Sequence, residues 1–393
     1  MKTLPSSEAA WLWLRRNLFS TWYNVVLTLL CMWVLVQGSI GFIHWAIALA
    51  QWSVISVNLR LFLVGRFPIT ELWRVWGALC LVVAVVSLSW GVVQQFSRQA
   101  LTIIAFAWLG SGALAALLQA DSASLLWILM IGVTAVIGYF AGGGLRSHLP
   151  PSLLNRGLPL LWFSTFLVIV WLLSGGLGLT PIPTNLWNGL LLTLLMAALS
   201  IVLSFPLGVL LALGRRSDLP IIRTLSILYI EVIRGLPLIG VLFMAQVMLP
   251  LVLPAQLELD SVVRAIAGLT LFSAAYLAEN VRGGLQSVPK GQTEAAQVLG
   301  LNPMLTLGLV VLPQALRAVI PAIVGQFIGL FKDTSLLSIV GLVELTGIAR
   351  SILSQPDFLG RYAEVYLVIG LIYFGFCYLM SLASRRLEQQ LGS

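Results

Sequence analysis

A chain of 393 residues that is 59% hydrophobic and only 9% charged, with a mean hydropathy of +1.00, falls outside the soluble globular class, where about a quarter of residues are charged. Its net charge of +8 comes from Lys and Arg placed singly or in pairs at the ends of apolar runs, which argues against a nucleic-acid-binding face and for the positive-inside distribution of a membrane protein. Cys31, Cys80 and Cys377 lie inside apolar runs without metal-site or disulfide spacing, and His44 and His148 stand far apart without companion ligands, so no metal site is expected.

The N-terminal MKTLPSSEAAWLWLRRN leads into the first apolar run, and no convincing small-residue cleavage site follows, so this run reads as a retained anchor. Runs long enough to cross about 30 Å of hydrocarbon as helices predict spans at 22–41, 75–93, 101–118, 124–142, 159–177, 186–214, 222–250, 263–282, 314–333 and 362–384. Residues 42–72 contain amphipathic pieces too polar to cross, which predicts an interfacial or re-entrant connection. The predicted fold class is an all-α polytopic helical bundle of about ten transmembrane helices.

With the N-terminus in the cytoplasm, Arg15, Arg16, Arg98, Arg146, Arg156, Arg215, Arg216, Arg223, Lys290, Arg385 and Arg386 all fall on that side. Asp121, Glu258 and Asp260 then lie outside, and ten spans return the C-terminus to the cytoplasm. Arg60, Arg66 and Arg74 run against this pattern. The stretch GLTPIPTN at 178–185 stops one helix and caps the next, dividing an N-terminal extension of about five helices (1–182) from a second part (183–393).

Charges within spans are costly, about 2.5–3.5 kcal/mol each on insertion scales, and mark cavities, partners or substrate. Glu231 and Arg234, at i and i+3 in YIEVIRGLPL, either neutralise each other or contact a substrate. Gly235 and Pro237 weaken the helix directly after them, as where backbone lines a cavity. Glu279 and Arg282 repeat the spacing near the cytoplasmic end of their span and read as a gate or structural ion pair. Lys332, Asp333, Thr334 and Ser335 end another span with charge and hydroxyls; Lys332 is alternatively a snorkelling side chain beside a helix-end acid. An amino acid presents an ammonium and a carboxylate, so Glu231 or Asp333 suits the first and Arg234, Thr334 or Ser335 the second. Gln246 suits a helix-to-helix hydrogen bond.

Residues 294–313, EAAQVLGLNPMLTLGLVVLP, break the apolar pattern. Gly300 is suited to end a helix in the left-handed conformation and Pro303 to start another, predicting two short helices at an angle on the cytoplasmic face. On local physics alone this is equally an ordinary amphipathic loop or a knob for a soluble partner. Its spacing resembles the signature of ABC-importer permease subunits: Glu294, Ala295 and Ala296, then Gly300, then Leu312 and Pro313, with Val310 where the family often has Ile.

The likeness extends over about residues 185–388, through NGLLLTLLMAALS, YIEVIRGLPL, AYLAENVRGGLQSVPKGQTEAAQVLG and FKDTSLLSIVG. These segments are similar to permeases of polar amino-acid ABC importers, with Leu236 and Asn280 as departures, and the long N-terminal extension is similar to that of the general L-amino-acid permeases. The resemblance implies a five-helix type I importer core at 183–393 with a coupling elbow at 285–313, in a bacterial inner membrane. It also implies two ATPase subunits docked on the elbow, a second homologous permease, a periplasmic or tethered binding protein and an L-amino-acid cargo. No GxxxxGK[ST] loop occurs, so the chain does not itself bind ATP by that route. The resemblance implies no cofactor in this chain, with ATP and Mg bound by the partner ATPase. A secondary transporter or channel driven by an ion gradient is one competing class, and it gives no reason for the elbow. A membrane-embedded enzyme is the other, against which stands the lack of a nucleophile–base constellation, HExxH motif or clustered acidic ligands.

Overall fold

A computed structural model describes residues 7–93, 122–254 and 258–391, together with 102, 108–110 and 112. The predicted span at 101–118 lies largely outside the described residues, and Arg98 and Asp121 lie wholly outside them. Among the described residues the chain is helical, with two isolated bridges and no strand. It forms two compact units, one up to Val54 and the other from Ile55.

In the first unit, α1 (Ser7–Asn17) is separated by a short turn from α2 (Trp22–His44), which a π-helical turn at Trp45–Leu49 extends to a 28-residue apolar segment. No residue of α2 is buried, which suits a helix whose apolar side chains face lipid on every side. Helix α3 (Ser53–Val64) has 12 residues, too few to cross a bilayer, so this part of 42–72 is non-spanning as expected, whereas 42–49 continues the first span.

In the second unit, a 3-10 turn at Ile69–Glu71 opens α4 (Leu72–Val93). Helix α5 (Ser122–His148) packs along α4, and small residues set the distance: a Cβ on Gly142 would meet the Leu88 carbonyl oxygen at 2.2 Å. Helix α6 (Pro151–Ser174) comes next and also packs on α4. Arg74, which ran against the charge pattern, is 1% exposed and neutralised. Its Nε lies 2.8 Å from Glu71 Oε2, and its two terminal nitrogens donate to the Thr180 carbonyl (2.8 Å) and hydroxyl (2.6 Å). That hydroxyl donates in turn to Glu71 at 3.0 Å, so the clamp closes on itself.

The chain continues with α7 (Gly189–Arg215), α8 (Pro220–Gly235), α9 (Leu238–Phe243, prolonged to Val252), α10 (Ser261–Ser287), α11 (Lys290–Val298), α12 (Leu312–Asp333), α13 (Leu345–Leu353) and α14 (Tyr362–Leu391). Eight described segments are long and apolar enough to cross a membrane, or up to nine if the bent α8–α9 pair counts as one span. Over 222–250, where a single apolar run was expected, the chain is this bent pair, turning by 105° at Leu236–Pro237. Proline pushes the residue before it out of the helical region, and Leu236 is extended (φ −97°, ψ 142°). The span predicted at 314–333 is also longer, running from Pro303 through a 3-10 segment to Val340.

Helices α7 and α10 form the axis of the second unit. Towards the start of α7 they bury Leu192, Met196, Leu269 and Phe272 with Leu242 and Leu330. Towards its end, Ala212 packs with Ile230, Ala278, Val281, Leu285 and Ala315. Two apolar layers therefore clamp the same helices at opposite ends.

Candidate functional site

The second of these layers carries the charges. A four-residue turn folds α8 back beside α7, which sets Arg215 at the end of one helix against Glu231 near the end of the other, 2.9 Å apart. Helix α10 adds Glu279, whose two oxygens serve different partners. Oε1 accepts from the Nε (2.9 Å) and a terminal nitrogen of Arg282, one turn along its own helix. Oε2 lies 3.6 Å from Arg215 on α7 and 3.7 Å from Arg234 on α8. One carboxylate thus joins three helices. The alternative in which Glu231 and Arg234 neutralise each other gives way to pairs across helices: Glu231 meets Arg215 of α7, and Arg234 lies against Glu279 of α10. Arg234 also covers the Tyr276 ring at 5.6 Å, and the cluster of three Arg and two Glu keeps one net positive charge.

Glu279 lies two turns before the end of α10, and that end opens directly into the elbow. Val288 is extended before Pro289, and α11 begins at Lys290. In α11, Glu294 and Ala295 are exposed while Ala296 is buried at 4% exposure. The helix stops at Gly300, whose φ of +81° only glycine adopts without strain. The Leu301 N–H donates to the Ala296 carbonyl (3.1 Å) and the Gly300 N–H to Gln297 (2.9 Å), the bonding of a Schellman end. Asn302 accepts from the Leu305 N–H at 2.9 Å, and Pro303 occupies the first position of the next helix.

The helix that starts there is not the second short helix expected. It passes through a π-helical turn at Thr306–Val311 and, by way of Leu312 and Pro313, becomes the span α12. Gly284 of α10 abuts the Ala315 backbone, where a Cβ would come within 2.4 Å of the carbonyl oxygen, so the elbow's two roots are pressed together. Gln314 reaches across to Gln292 at 3.3 Å. At the tip, Val298, Leu299 and Met304 are 87%, 81% and 84% exposed. The sequence reading allowed a knob here without singling out these three residues, although apolar residues flanking a polar turn were their signal.

Asp333, Thr334 and Ser335 stand at the opposite end of α12. Counting along α10 and α12 from the Gly284–Ala315 contact at 1.5 Å per residue puts Asp333 roughly 20 Å along the helix axes from Glu279. Five residues suited to an amino acid therefore divide into two groups. Thr334 is fully buried, donates to the Phe331 carbonyl (2.6 Å) and lies 3.4 Å from the Tyr373 hydroxyl. That hydroxyl donates to Glu344 at 3.3 Å, a fully buried carboxylate that also caps α13 by accepting from the Thr346 (2.8 Å) and Gly347 (3.0 Å) N–H groups. Glu344 was not a sequence candidate, since a single acid before a helix start reads as a cap. Gln246 donates to the Ser261 carbonyl at 2.6 Å and so ties the prolonged α9 to α10, the use expected of it.

Residues 204–393, which contain the charge hub and the elbow, match the family described as the inner membrane component of binding-protein-dependent transport systems. The chain is 36% identical to the inner membrane amino-acid ABC transporter permease protein YhdY of Escherichia coli (strain K12) over 402 residues, covering 98% of this chain and 94% of the relative. The chain belongs to the amino-acid ABC transporter permeases. It is also 34% identical to the glutamate/glutamine/aspartate/asparagine transport system permease protein BztC of Rhodobacter capsulatus, across 96% of this chain and 93% of that permease. A third permease, the probable glutamine permease GlnP of Bacillus subtilis, is 41% identical over 203 residues, 52% of this chain but 92% of GlnP. As a permease of this family, the chain is a multi-pass inner membrane protein and a transporter subunit rather than an enzyme.

Proposed function

We propose that this permease imports L-amino acids into the cytoplasm by alternating access, as one of two homologous permease chains driven by a pair of ATPase subunits. The observation that carries this reading is the elbow. A glycine-broken, apolar-tipped helix leads directly from the span that holds the Glu279 hub, so a force on α11 acts at once on α10. In this reading Glu294, Ala295, Ala296, Gly300, Leu312 and Pro313 form the ATPase-docking segment. Both termini and the elbow face the cytoplasm, and ATP with Mg stays in the partner.

The division of the polar residues supports a path with two stations. Asp333 and Ser335 receive the ammonium and carboxylate of the solute towards the outer side, where a periplasmic or tethered binding protein releases it, and Thr334 holds the shape of that end. Glu231 and Arg234 meet the solute at the inner end. Glu279 and Arg282 gate that exit by holding α7, α8 and α10 together. Residues 1–182 form an N-terminal extension to the core, 183–393.

The test is ATP hydrolysis by the purified complex in nanodiscs, with each L-amino acid and the cognate binding protein, while mass spectrometry identifies every copurifying chain. The expected result is hydrolysis stimulated by one set of amino acids in a complex holding a second permease. Solute uptake by the isolated chain without an ATPase would overturn the reading.

A further inference from the structure

The corner between α1 and α2 carries two arginines that the proposed transport path does not use. Residues 9–70 contain no Asp or Glu, so Arg15 and Arg16 in the last turn of α1 are offset in sequence only by Glu8, two turns earlier. They line an open pocket of about 520 Å³ together with Leu12, Phe19 and Ser20. The corner is pinned: the Thr28 hydroxyl donates to the Leu18 carbonyl (2.9 Å), Asn24 donates to Ser20 (2.9 Å), and Asn17 donates to Trp13 (2.8 Å).

Aromatic residues locate this corner in the bilayer. Trp11 and Trp13 of α1 are 65% and 60% exposed, and Trp22 and Tyr23, packed edge-to-face at 5.9 Å, open the apolar α2. Amphipathic rings of this kind settle at the headgroup level. Two guanidinium groups at that level, lining one pocket with the apolar Leu12 and Phe19, match a phosphate and the acyl chains it carries.

We propose that the α1–α2 corner binds the headgroup of an anionic phospholipid through Arg15 and Arg16. The charge decides the class. A zwitterionic lipid brings its own ammonium beside the phosphate, whereas an anionic lipid leaves both arginines a net counter-charge.

The experiment is native mass spectrometry of the full transporter complex released from nanodiscs of phosphatidylglycerol and phosphatidylcholine, comparing the intact chain with R15Q/R16Q. Retention of phosphatidylglycerol over phosphatidylcholine is expected, with affinity falling roughly 30-fold in the double variant. R15K/R16K should keep most of the preference, and R385Q/R386Q, an equal charge change elsewhere, should leave it intact. Equal retention in R15Q/R16Q overturns the site, and so does an equal loss in R385Q/R386Q, which would report net charge alone. Displacement of the lipid by millimolar inorganic phosphate would make this a free-anion site and overturn the lipid assignment.

Discussion

Glu279 differs from the other four charges of its cluster because it alone pairs with three of them. Each pair, partly exposed as it is, contributes about 1 kcal/mol or less in water, so the value of the cluster lies in register rather than in gross stability. Removing the hub charge leaves three arginines facing one remaining acid. Glu279→Gln is therefore expected to loosen the contact of α7, α8 and α10 and to raise ATP hydrolysis without substrate several-fold in the assembled complex. Glu231→Gln removes a single pair with Arg215 and should change that basal rate less than twofold. Equal basal rates in the two variants would show that Glu279 is no hub. The five charges were all visible in the sequence, and so was the i, i+3 pair of Glu279 with Arg282; the partners across helices were not, because only the packing of α7, α8 and α10 brings them together.

At the scale of elements, the elbow was the most legible part of the chain. Helix ends are governed by residues within one turn of each other, and Gly300, Asn302 and Pro303 carry that chemistry in sequence. The course of the chain beyond Pro303 was less legible, because continuation into α12 depends on burial of Val311 and Ala315 against α10, a tertiary matter. Gly300→Pro tests the element directly. Proline holds φ near −65° against the +81° required, and it lacks the N–H donated to Gln297. The variant should insert normally yet lose stimulation of ATP hydrolysis by loaded binding protein by at least tenfold, read as the ratio of stimulated to basal rate. An unchanged ratio would remove the bend from the coupling mechanism. The kink after α8 was similarly foreshadowed by Gly235 and Pro237, whereas its 105° angle depends on how α9 packs against α10.

Across the molecule, the Arg74 clamp joins α4 to the turn after α6, two segments separated by 106 residues in sequence. Breaking one side of a buried ion pair leaves an uncompensated charge, a loss of about 3–5 kcal/mol. Arg74→Ala should lower the thermal transition of the detergent-purified complex by several degrees, and adding Glu71→Gln should restore part of the loss. No shift in Arg74→Ala would mean that the clamp is not structural. Of the three arginines that ran against the charge pattern, Arg74 carries no weight in it: the positive-inside rule weighs exposed loop charges, and this side chain is neither exposed nor unpaired.

The sequence by itself determined membrane residence, most spans, the elbow and the family likeness. Hydrocarbon length, helix-end chemistry and motif spacing are properties of short stretches, and short stretches carry them whatever the rest of the chain does. Only the tertiary structure decided that Glu231 pairs with Arg215, that Glu279 gathers three arginines, and that Asp333 stands far from both. Those outcomes depend on which helices fold back on one another, and packing distant segments side by side leaves no periodicity for a linear reading to detect.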